Sequence, residues 1–292
     1  MMNITMQQNQ GKLMNNIDIT KNSDYTFDED NHVYYWKGNK VETSVTRFIQ
    51  QYYPQFDTDG ISRKYALAHN LDQDEVKRQW KEAGDISAMA GTVIHSILEC
   101  AKNGKPIVED YSVAEKAGLL EQVKEKVILL RPKAEQFIAD TKDMLTPIAT
   151  EYTVGLEDKI AGNIDLLAWN NDANEIQIWD YKNTKQISQE NKYAHCYGPF
   201  ASYSDCNFIH YSMQVSFYKA LAQRLLGITI GKMYLVHFNS TTKKANYTLY
   251  EATDFTDKCN TELDKLITPK SNKIELFESN TYNRGIFGDV PF

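Results

Sequence analysis

The fold is decided by two neighbouring stretches of this sequence, Ala161-Gly162-Asn163-Ile164-Asp165 and Ile176-Gln177-Ile178-Trp179-Asp180-Tyr181-Lys182. Asp165 and Asp180 are 15 positions apart. That separation is enough for one strand to end, turn through the polar run 170–174 and return as its neighbour. The two stretches therefore predict adjacent strands of one sheet.

Alternation within the second stretch gives the predicted strand an apolar half and a polar half. Its period of two places Ile176, Ile178, Asp180 and Lys182 on one face, with the isoleucines in a core and the charged residues at its rim. Asp165 and Asp180 on adjacent strands can hold a divalent metal such as Mg²⁺ or Mn²⁺, which prefer oxygen ligands and can bind a substrate phosphate. This arrangement is typical of an enzyme that cleaves phosphodiester bonds.

The pattern Gly-x-Ile-Asp at 162–165, followed by Asp-x-Lys at 180–182, resembles the core of the PD-(D/E)XK nuclease superfamily. Three further segments resemble motifs of its RecB-like exonuclease branch: a helix with a metal-binding histidine, the strand that opens the catalytic sheet, and a glutamine-tyrosine helix. They contain His95 in 91–99, Glu151 in 151–154, and Gln214 with Tyr218 in 214–218. The segments 44–46 and 80–84 are similar to the lead-in of phage-encoded members.

This resemblance implies an α/β fold with a restriction-endonuclease-like core, in which helices flank a small central mixed sheet. It implies metal-dependent hydrolysis of DNA, with Mg²⁺ or Mn²⁺ as cofactor. The RecB-like, phage-encoded type implies an exonuclease that acts at DNA ends, single-stranded or resected duplex, in replication, recombination or repair. A structure-specific endonuclease and a non-catalytic DNA-binding module of the same fold are the alternatives, and the complete motif set argues against the second.

The resemblance also assigns roles to residues. The implied metal ligands are His95, Asp165, Asp180 and the backbone carbonyl of Tyr181. Lys182 would orient or deprotonate the attacking water, or stabilise the transition state. Gln214 and Tyr218 would touch the substrate or brace the lysine. Glu151 is either a water-mediated ligand or an exposed residue at a strand start.

Most of these residues also have a purely structural interpretation. His95 and Glu99 are four positions apart on one helical face, so they form either a simple hydrogen-bonded pair or a metal ligand and the acid that orients it. Asp165 and Asp180 could instead cap turns at strand ends. Gly162 has no side chain and leaves space for a phosphate to approach.

Composition indicates an ordinary intracellular enzyme. The net charge of −7 and a pI near 5.5 argue against a protein that binds duplex DNA through its whole surface, although a groove for one strand needs only local positive charge.

No apolar run reaches the ~20 residues of a membrane span, and the polar start lacks a signal peptide. We therefore expect a cytoplasmic protein without a membrane partner, in the host cytoplasm if phage-encoded. Cys100, Cys196, Cys206 and Cys259 are scattered, and we expect neither disulfides nor an iron–sulfur cluster.

Four regions are expected along the chain. They are a disordered segment at 1–23, a hairpin and helical lead-in at 24–85, the nuclease core at 86–252, and a C-terminal helix and flexible tail at 253–292. The predicted helices are 44–52, 72–84, 86–103, 112–143 and 210–226, with Gly84 as a stop and Pro132 as a break. The predicted strands are 33–36 with a partner near 41, then 148–154, 160–169, 175–182, 232–238 and 246–251.

Aromatic residues crowd the predicted loop 184–209. They are Tyr193, His195, Tyr197, Phe200, Tyr203 and Phe208, interleaved with Lys185 and Lys192. Rings among cations suit stacking on the bases of a single-stranded nucleic acid. The alternative is a lid that packs its rings onto the domain.

The sequence ends in Asp289-Val290-Pro291-Phe292, which is similar to the acidic tip of bacterial single-stranded-DNA-binding proteins. Such a tip inserts its terminal ring into an apolar pocket while its carboxylates pair with basic residues. The tail therefore predicts a docking site for a protein partner, or a segment that folds back on its own domain or stays solvated.

Overall fold

The computed structural model describes residues 17–28 and 31–268. Within them the helices are α1 Val45–Ile49, α2 Thr58–His69, α3 Gln73–Lys102, α4 Ser112–Ala117, α5 Leu120–Thr141, α6 Asn207–Leu226 and α7 Thr256–Ile267. The strands are β1 Tyr25–Asp28, β2 Val33–Trp36, β3 Asn39–Lys40, β4 Thr43–Ser44, β5 Leu145–Leu156, β6 Ile160–Asn170, β7 Glu175–Lys182, β8 Met233–His237 and β9 Thr248–Glu251. Short 3₁₀ turns occur at Ile19–Asn22, Gln50–Tyr52 and Gly198–Phe200.

The central sheet has six strands in the order β4-β6-β7-β8-β9, with β5 also paired to β6. β4 and β6 are parallel, as are β7 and β8, and the other neighbours are antiparallel. The tight turn from β6 to β7 forms because the Asn170 side chain accepts hydrogen bonds from the N–H groups of Asp172 and Ala173. The predicted α/β fold with a mixed central sheet flanked by helices is confirmed.

Apolar cores lie on both faces of this sheet. On one face α1, α6 and α7 pack against residues that include Ile176 and Ile178 of β7. On the other face α3 and α5 cover Trp179 and Tyr181 of the same strand. The alternation predicted for β7 is therefore confirmed, and the row that begins at Ile176 leads to Lys182 at the rim beneath α6.

A three-stranded meander of β1, β2 and β3 packs beside the main sheet. The sequence predicts the β2–β3 hairpin but not β1. Lys37 and Gly38 both have positive φ, which is the backbone of a two-residue hairpin turn. Tyr34 of this meander packs against Ala161 of β6, so the meander borders the strand that carries Asp165.

Two predicted helix boundaries are wrong. Helix α3 continues through Gly84, because burial of one face along its length outweighs the cost of about 1 kcal/mol for a helical glycine. Helix α5 continues through Pro132, whose missing N–H would pair with the carbonyl of Ile128, an exposed residue of the helix, while the buried face of α5 holds the helix together. The break in 112–143 lies instead at Gly118, which ends α4 with a left-handed φ of 71°.

Further differences from the sequence-based expectation involve the N-terminal part of the chain. Helix α2 was not predicted, and α3 runs across the expected boundary between 24–85 and 86–252. Residues 1–16 lie outside the described part, while Ile19–Asn22 form a 3₁₀ turn that Asp18 caps. Of the helices in the described ranges, none is long and apolar enough to cross a bilayer.

Candidate active site

Three carboxylates form a row across three adjacent strands. The antiparallel pairing of β5 and β6 joins Thr150 to Leu166 and Tyr152 to Ile164, so Glu151 lies opposite Asp165. The pairing of β6 and β7 ends at Leu166 opposite Trp179, so Asp165 is followed across the sheet by Asp180. Residues opposite each other in an antiparallel pair project to the same face, and the register therefore gathers the three acids.

Glu151 has an unusual backbone conformation. Its φ of +43° lies in the left-handed region, which costs energy for a residue with a side chain. Strained residues of this kind concentrate where a side chain must be aimed at a functional site. The strain at Glu151 therefore favours a functional role over that of an ordinary strand residue.

His95 completes a cluster with two of the acids. Its Nδ1 lies 3.4 Å from Glu151 Oε1 and 3.7 Å from Asp165 Oδ1, and its ring stands edge-on to Tyr181. His95, Glu151 and Asp165 each offer one possible ligand atom, and these three atoms all lie within 4.8 Å of one another. Among the described residues these two acids form the ion pairs of the imidazole, the charge of Asp180 also acts on it, and the predicted partner Glu99 makes no hydrogen bond to it.

The electrostatics of the cluster are those of crowded buried acids. Burial lowers the pKa of His95, but the carboxylates of Asp165 and Glu151 outweigh this effect and raise it to about 9. Burial raises the pKa of Asp165, and the charge of Glu151 adds to the shift. Burial likewise raises the pKa of Asp180 to about 6, although Lys182 opposes it. A cation bound among these groups would stabilise the ionised carboxylates, and would so oppose the effect of burial on the pKa values of the acids.

The donor set fits a hard divalent cation. Asp165 is oriented by the backbone N–H of Tyr181, which donates to its Oδ2 at 2.6 Å and leaves Oδ1 facing His95. The buried Oδ2 of Asp180 lies 2.6 Å from Lys182 Nζ, so the charge of this acid is balanced from the lysine side. Carboxylate oxygens with an imidazole nitrogen are ligands that Mg²⁺ or Mn²⁺ accepts, and the donor set of His95, Glu151 and Asp165 supplies both kinds.

Lys182 lies directly beside Asp180. Its Nζ is 2.6 Å from Asp180 Oδ2, donates to Gln214 Oε1 at 3.0 Å and lies 4.7 Å from the centre of the Tyr211 ring. Burial lowers the pKa of Lys182, but Asp180 and Asp165 outweigh burial and raise it above the usual value. The lysine is therefore a protonated donor at neutral pH.

Helix α6 holds the lysine through a hydrogen-bonded network. The Gln214 amide nitrogen donates to the Tyr218 hydroxyl at 2.8 Å and to the Thr46 hydroxyl at 3.1 Å. Because the NH₂ group of Gln214 donates to both hydroxyls, its amide oxygen is the atom that accepts a hydrogen bond from Lys182. This geometry corresponds to the bracing alternative for Gln214 and Tyr218.

Gly162 has a different role from the one expected. A Cβ on this residue would lie 2.5 Å from Cε1 of Tyr218, so the space above the glycine is filled by the tyrosine ring and not kept for a phosphate. The glycine is needed because α6 packs closely on β6 at this point.

Sequence reasoning missed two residues of this network. Tyr211 precedes Gln214 by three positions and Tyr218 by seven, a helical spacing that could have placed its ring beside Lys182. Thr46 is 168 residues from Gln214 in sequence, and no local pattern connects them.

The aromatic loop divides into packed and exposed rings. Phe200 is fully buried against Tyr52 and Phe255, and Tyr203 also packs on Phe255. Tyr193 and Tyr197 remain exposed. The predicted tail at 289–292 lies outside the described residues.

Three adjacent strands of a mixed sheet gather three carboxylates and a lysine beside a helix histidine, which is a site of the nuclease-type hydrolase class and suits a divalent metal. The family model of the PD-(D/E)XK nuclease superfamily matches residues 62–281, and the chain belongs to that superfamily. Membership implies a metal-dependent nuclease. A search of curated proteins finds no match for the chain.

Proposed function

We propose that this protein is a Mg²⁺- or Mn²⁺-dependent DNA exonuclease that hydrolyses phosphodiester bonds from DNA ends. The observation that carries the proposal is the row of Glu151, Asp165 and Asp180 across three strands, with His95 at one end and Lys182 at the other. Burying so many charges on three neighbouring strands is costly without a counter-ion, so a purely structural role does not account for them.

His95, Asp165, Asp180 and the backbone carbonyl of Tyr181 are the proposed metal ligands. Glu151 joins them directly or through water, because its carboxylate already lies with His95 and Asp165. A bound divalent cation supplies an activated water and neutralises charge on the phosphate. The N–H of Tyr181 fixes the Asp165 carboxylate in the orientation that ligation needs.

Lys182 is proposed to stabilise the negative charge that develops on the phosphate. Its raised pKa keeps it protonated, so donation to a phosphate oxygen or to the attacking water suits it better than proton abstraction. Gln214 and Tyr218 are positioning residues that hold the ammonium group through the Gln214 amide oxygen.

The exonuclease mode and the role in phage-type replication, recombination or repair rest on the RecB-like order of the motifs. The order runs from His95 through Asp165 and Asp180-x-Lys182 to Gln214 and Tyr218. A structure-specific endonuclease of the same fold would use the same chemistry, and a covalently closed DNA circle separates the two because it has no end.

The test uses 5′- and 3′-labelled single- and double-stranded oligonucleotides and a closed circle, each with Mg²⁺ or Mn²⁺. We expect the linear DNAs to shorten and the circle to stay intact. Asp180→Asn should lose about 1000-fold in rate, while Asp172→Asn, an exposed acid in the β6–β7 turn, should match the wild type. Cutting of the circle would favour the endonuclease, and cleavage by Asp180→Asn at the wild-type rate would refute the site.

The docking role of Asp289–Phe292 remains a separate proposal about residues outside the described part. It supposes a partner with an apolar pocket and basic rim. Deleting Phe292 should abolish recovery of such a partner without changing cleavage of naked DNA, and equal recovery with and without Phe292 would refute the idea.

A further inference from the structure

The loop between β7 and α6 presents a row of rings to solvent. Tyr193 is 98% exposed and Tyr197 is 51% exposed, and His195 between them is also exposed. Cys196, which lies between His195 and Tyr197, is buried. The three rings thus occupy alternate positions on the outer side of one segment, here called the aromatic row.

The backbone beneath the aromatic row is held in place. His195 bridges to Ser204 in antiparallel fashion, and the N–H of Cys196 donates to Tyr203 O at 3.0 Å. The N–H of Tyr197 donates to Tyr52 O at 2.6 Å. Because the buried rings of the same loop already anchor it to the domain, Tyr193 and Tyr197 are not needed for packing.

The aromatic row is connected to the candidate active site by direct contacts. Tyr211, beside Lys182, is followed back along α6 by His210, whose Nε2 lies 2.7 Å from Asp205 Oδ1. The N–H of Asp205 donates to Ala194 O at 3.0 Å, next to Tyr193. The loop that carries the row is therefore packed against the start of α6, the helix that positions Lys182.

The spacing of His195 and Tyr197 matches the stacking repeat of nucleic-acid bases. His195 lies in a β-bridge and Tyr197 has extended backbone, and alternate residues of extended backbone are about 6.7 Å apart. This is twice the rise of about 3.4 Å per nucleotide along a strand. A base inserted between neighbouring rings would then contact a ring on each of its faces.

We propose that Tyr193, His195 and Tyr197 form a stacking track for the unpaired bases of the DNA strand on which the nuclease acts. This inference rests on the proposed function for its ligand and adds that the engaged strand is single. The loop carries Lys185 and Lys192 together with the acids Glu190 and Asp205, so its net charge is near zero and stacking supplies most of the binding. A duplex, whose bases are already stacked and paired, does not fit the track.

The experiment measures DNA binding in the Asp180→Asn background, where substrate is not consumed. A fluorescently labelled single strand, the same strand with abasic sites, and a blunt duplex are titrated with each variant. Tyr193→Ala and Tyr197→Ala should each weaken binding of the intact strand about 10-fold, and the double variant about 100-fold. Tyr193→Trp should retain affinity, and Ile128→Ala, an exposed apolar residue of α5 on the other face of the sheet, should change nothing.

Two further comparisons make the test specific. The abasic strand and the blunt duplex should bind the double variant and its parent equally, since neither offers free bases. The double variant's loss of affinity for the intact strand should be similar at low and high salt, because stacking releases few counter-ions. Binding of the intact strand within twofold of the parent would overturn the proposal, as would an equal loss on the abasic strand.

Failure of this proposal is distinguishable from failure of the proposed nuclease. If the wild-type protein cleaves DNA and the double variant binds normally, only the aromatic row is refuted. If the wild type does not cleave, base-dependent binding that the double variant loses still supports the row.

Discussion

The candidate site has two halves that differ in exposure. The histidine half consists of His95, Glu151 and Asp165, and the first two are 29% and 34% exposed. The lysine half consists of Asp180, Lys182, Gln214 and Tyr218, and its two charged groups are 3% and 15% exposed. An open half can exchange a metal with solvent, whereas a buried half is preorganised for charge stabilisation. Loss of His95 should therefore be compensated by more metal, whereas loss of Lys182 should not.

The largest expected effect comes from the lysine half. Lys182→Ala should lower the single-turnover cleavage rate by about 100- to 1000-fold, because no other cation in the described part contacts Asp180. Mn²⁺ affinity, measured by calorimetry, should stay close to that of the wild type, since an ammonium group is not a ligand. A variant with near wild-type cleavage would remove Lys182 from the mechanism.

The histidine half should give a smaller and conditional effect. His95→Ala should raise the Mn²⁺ concentration needed for half-maximal cleavage by about 10- to 100-fold, because one nitrogen ligand and its hold on Glu151 are lost. His69→Ala, an exposed histidine at the end of α2, is the matched control. An unchanged metal titration would show that His95 is not a metal ligand and that it only forms ion pairs with the two acids.

Packing of the lysine half can be tested without activity. Gly162→Ala should destabilise the protein by about 1–3 kcal/mol, because the new methyl group meets the Tyr218 ring. Gly84→Ala is its control, since a Cβ there would meet nothing within 4 Å in the middle of a helix, and it should stabilise by about 0.5–1 kcal/mol. Equal melting temperatures for the two variants would contradict the close approach of α6 to β6.

The smallest expected effect is a pH dependence of the metal-free protein. The folded pKa of His95, about 9, lies above its ordinary value of 6.5, so its contribution to stability is complete below pH 6.5 and is lost as pH rises through 9. Between pH 6.5 and 9, with a chelator present, the wild type should lose on the order of 1 kcal/mol more than His95→Ala, after allowance for solvent screening. Parallel curves in chemical denaturation would show that the imidazole is not held by Asp165 and Glu151.

Much of the site was predictable because its residues follow local rules. The period of two in β7 placed Asp180 and Lys182 on one face, and the turn at 170–174 set Asp165 beside Asp180. The α/β fold followed from the same strands and the motif order. These features depend on neighbours in sequence, where pattern and structure agree.

The remainder depends on contacts between distant segments. Thr46 meets Gln214 across 168 residues, and Gly162 is explained by the ring of Tyr218, which no strand pattern reveals. Gly84 and Pro132 do not interrupt their helices, contrary to the prediction, because the burial of α3 and α5 overrides the local preferences of these residues. Exposure of Tyr193 and Tyr197, against burial of Phe200, likewise emerges only when the loop is packed.

The most direct test of the account is a Mn²⁺ titration of single-turnover DNA cleavage by the wild type, His95→Ala and Lys182→Ala. We expect high Mn²⁺ to restore His95→Ala to within a few-fold of the wild-type rate and to leave Lys182→Ala at least about 100-fold slower. Restoration of Lys182→Ala by added metal, or failure of the wild type to cleave at any metal concentration, would contradict it.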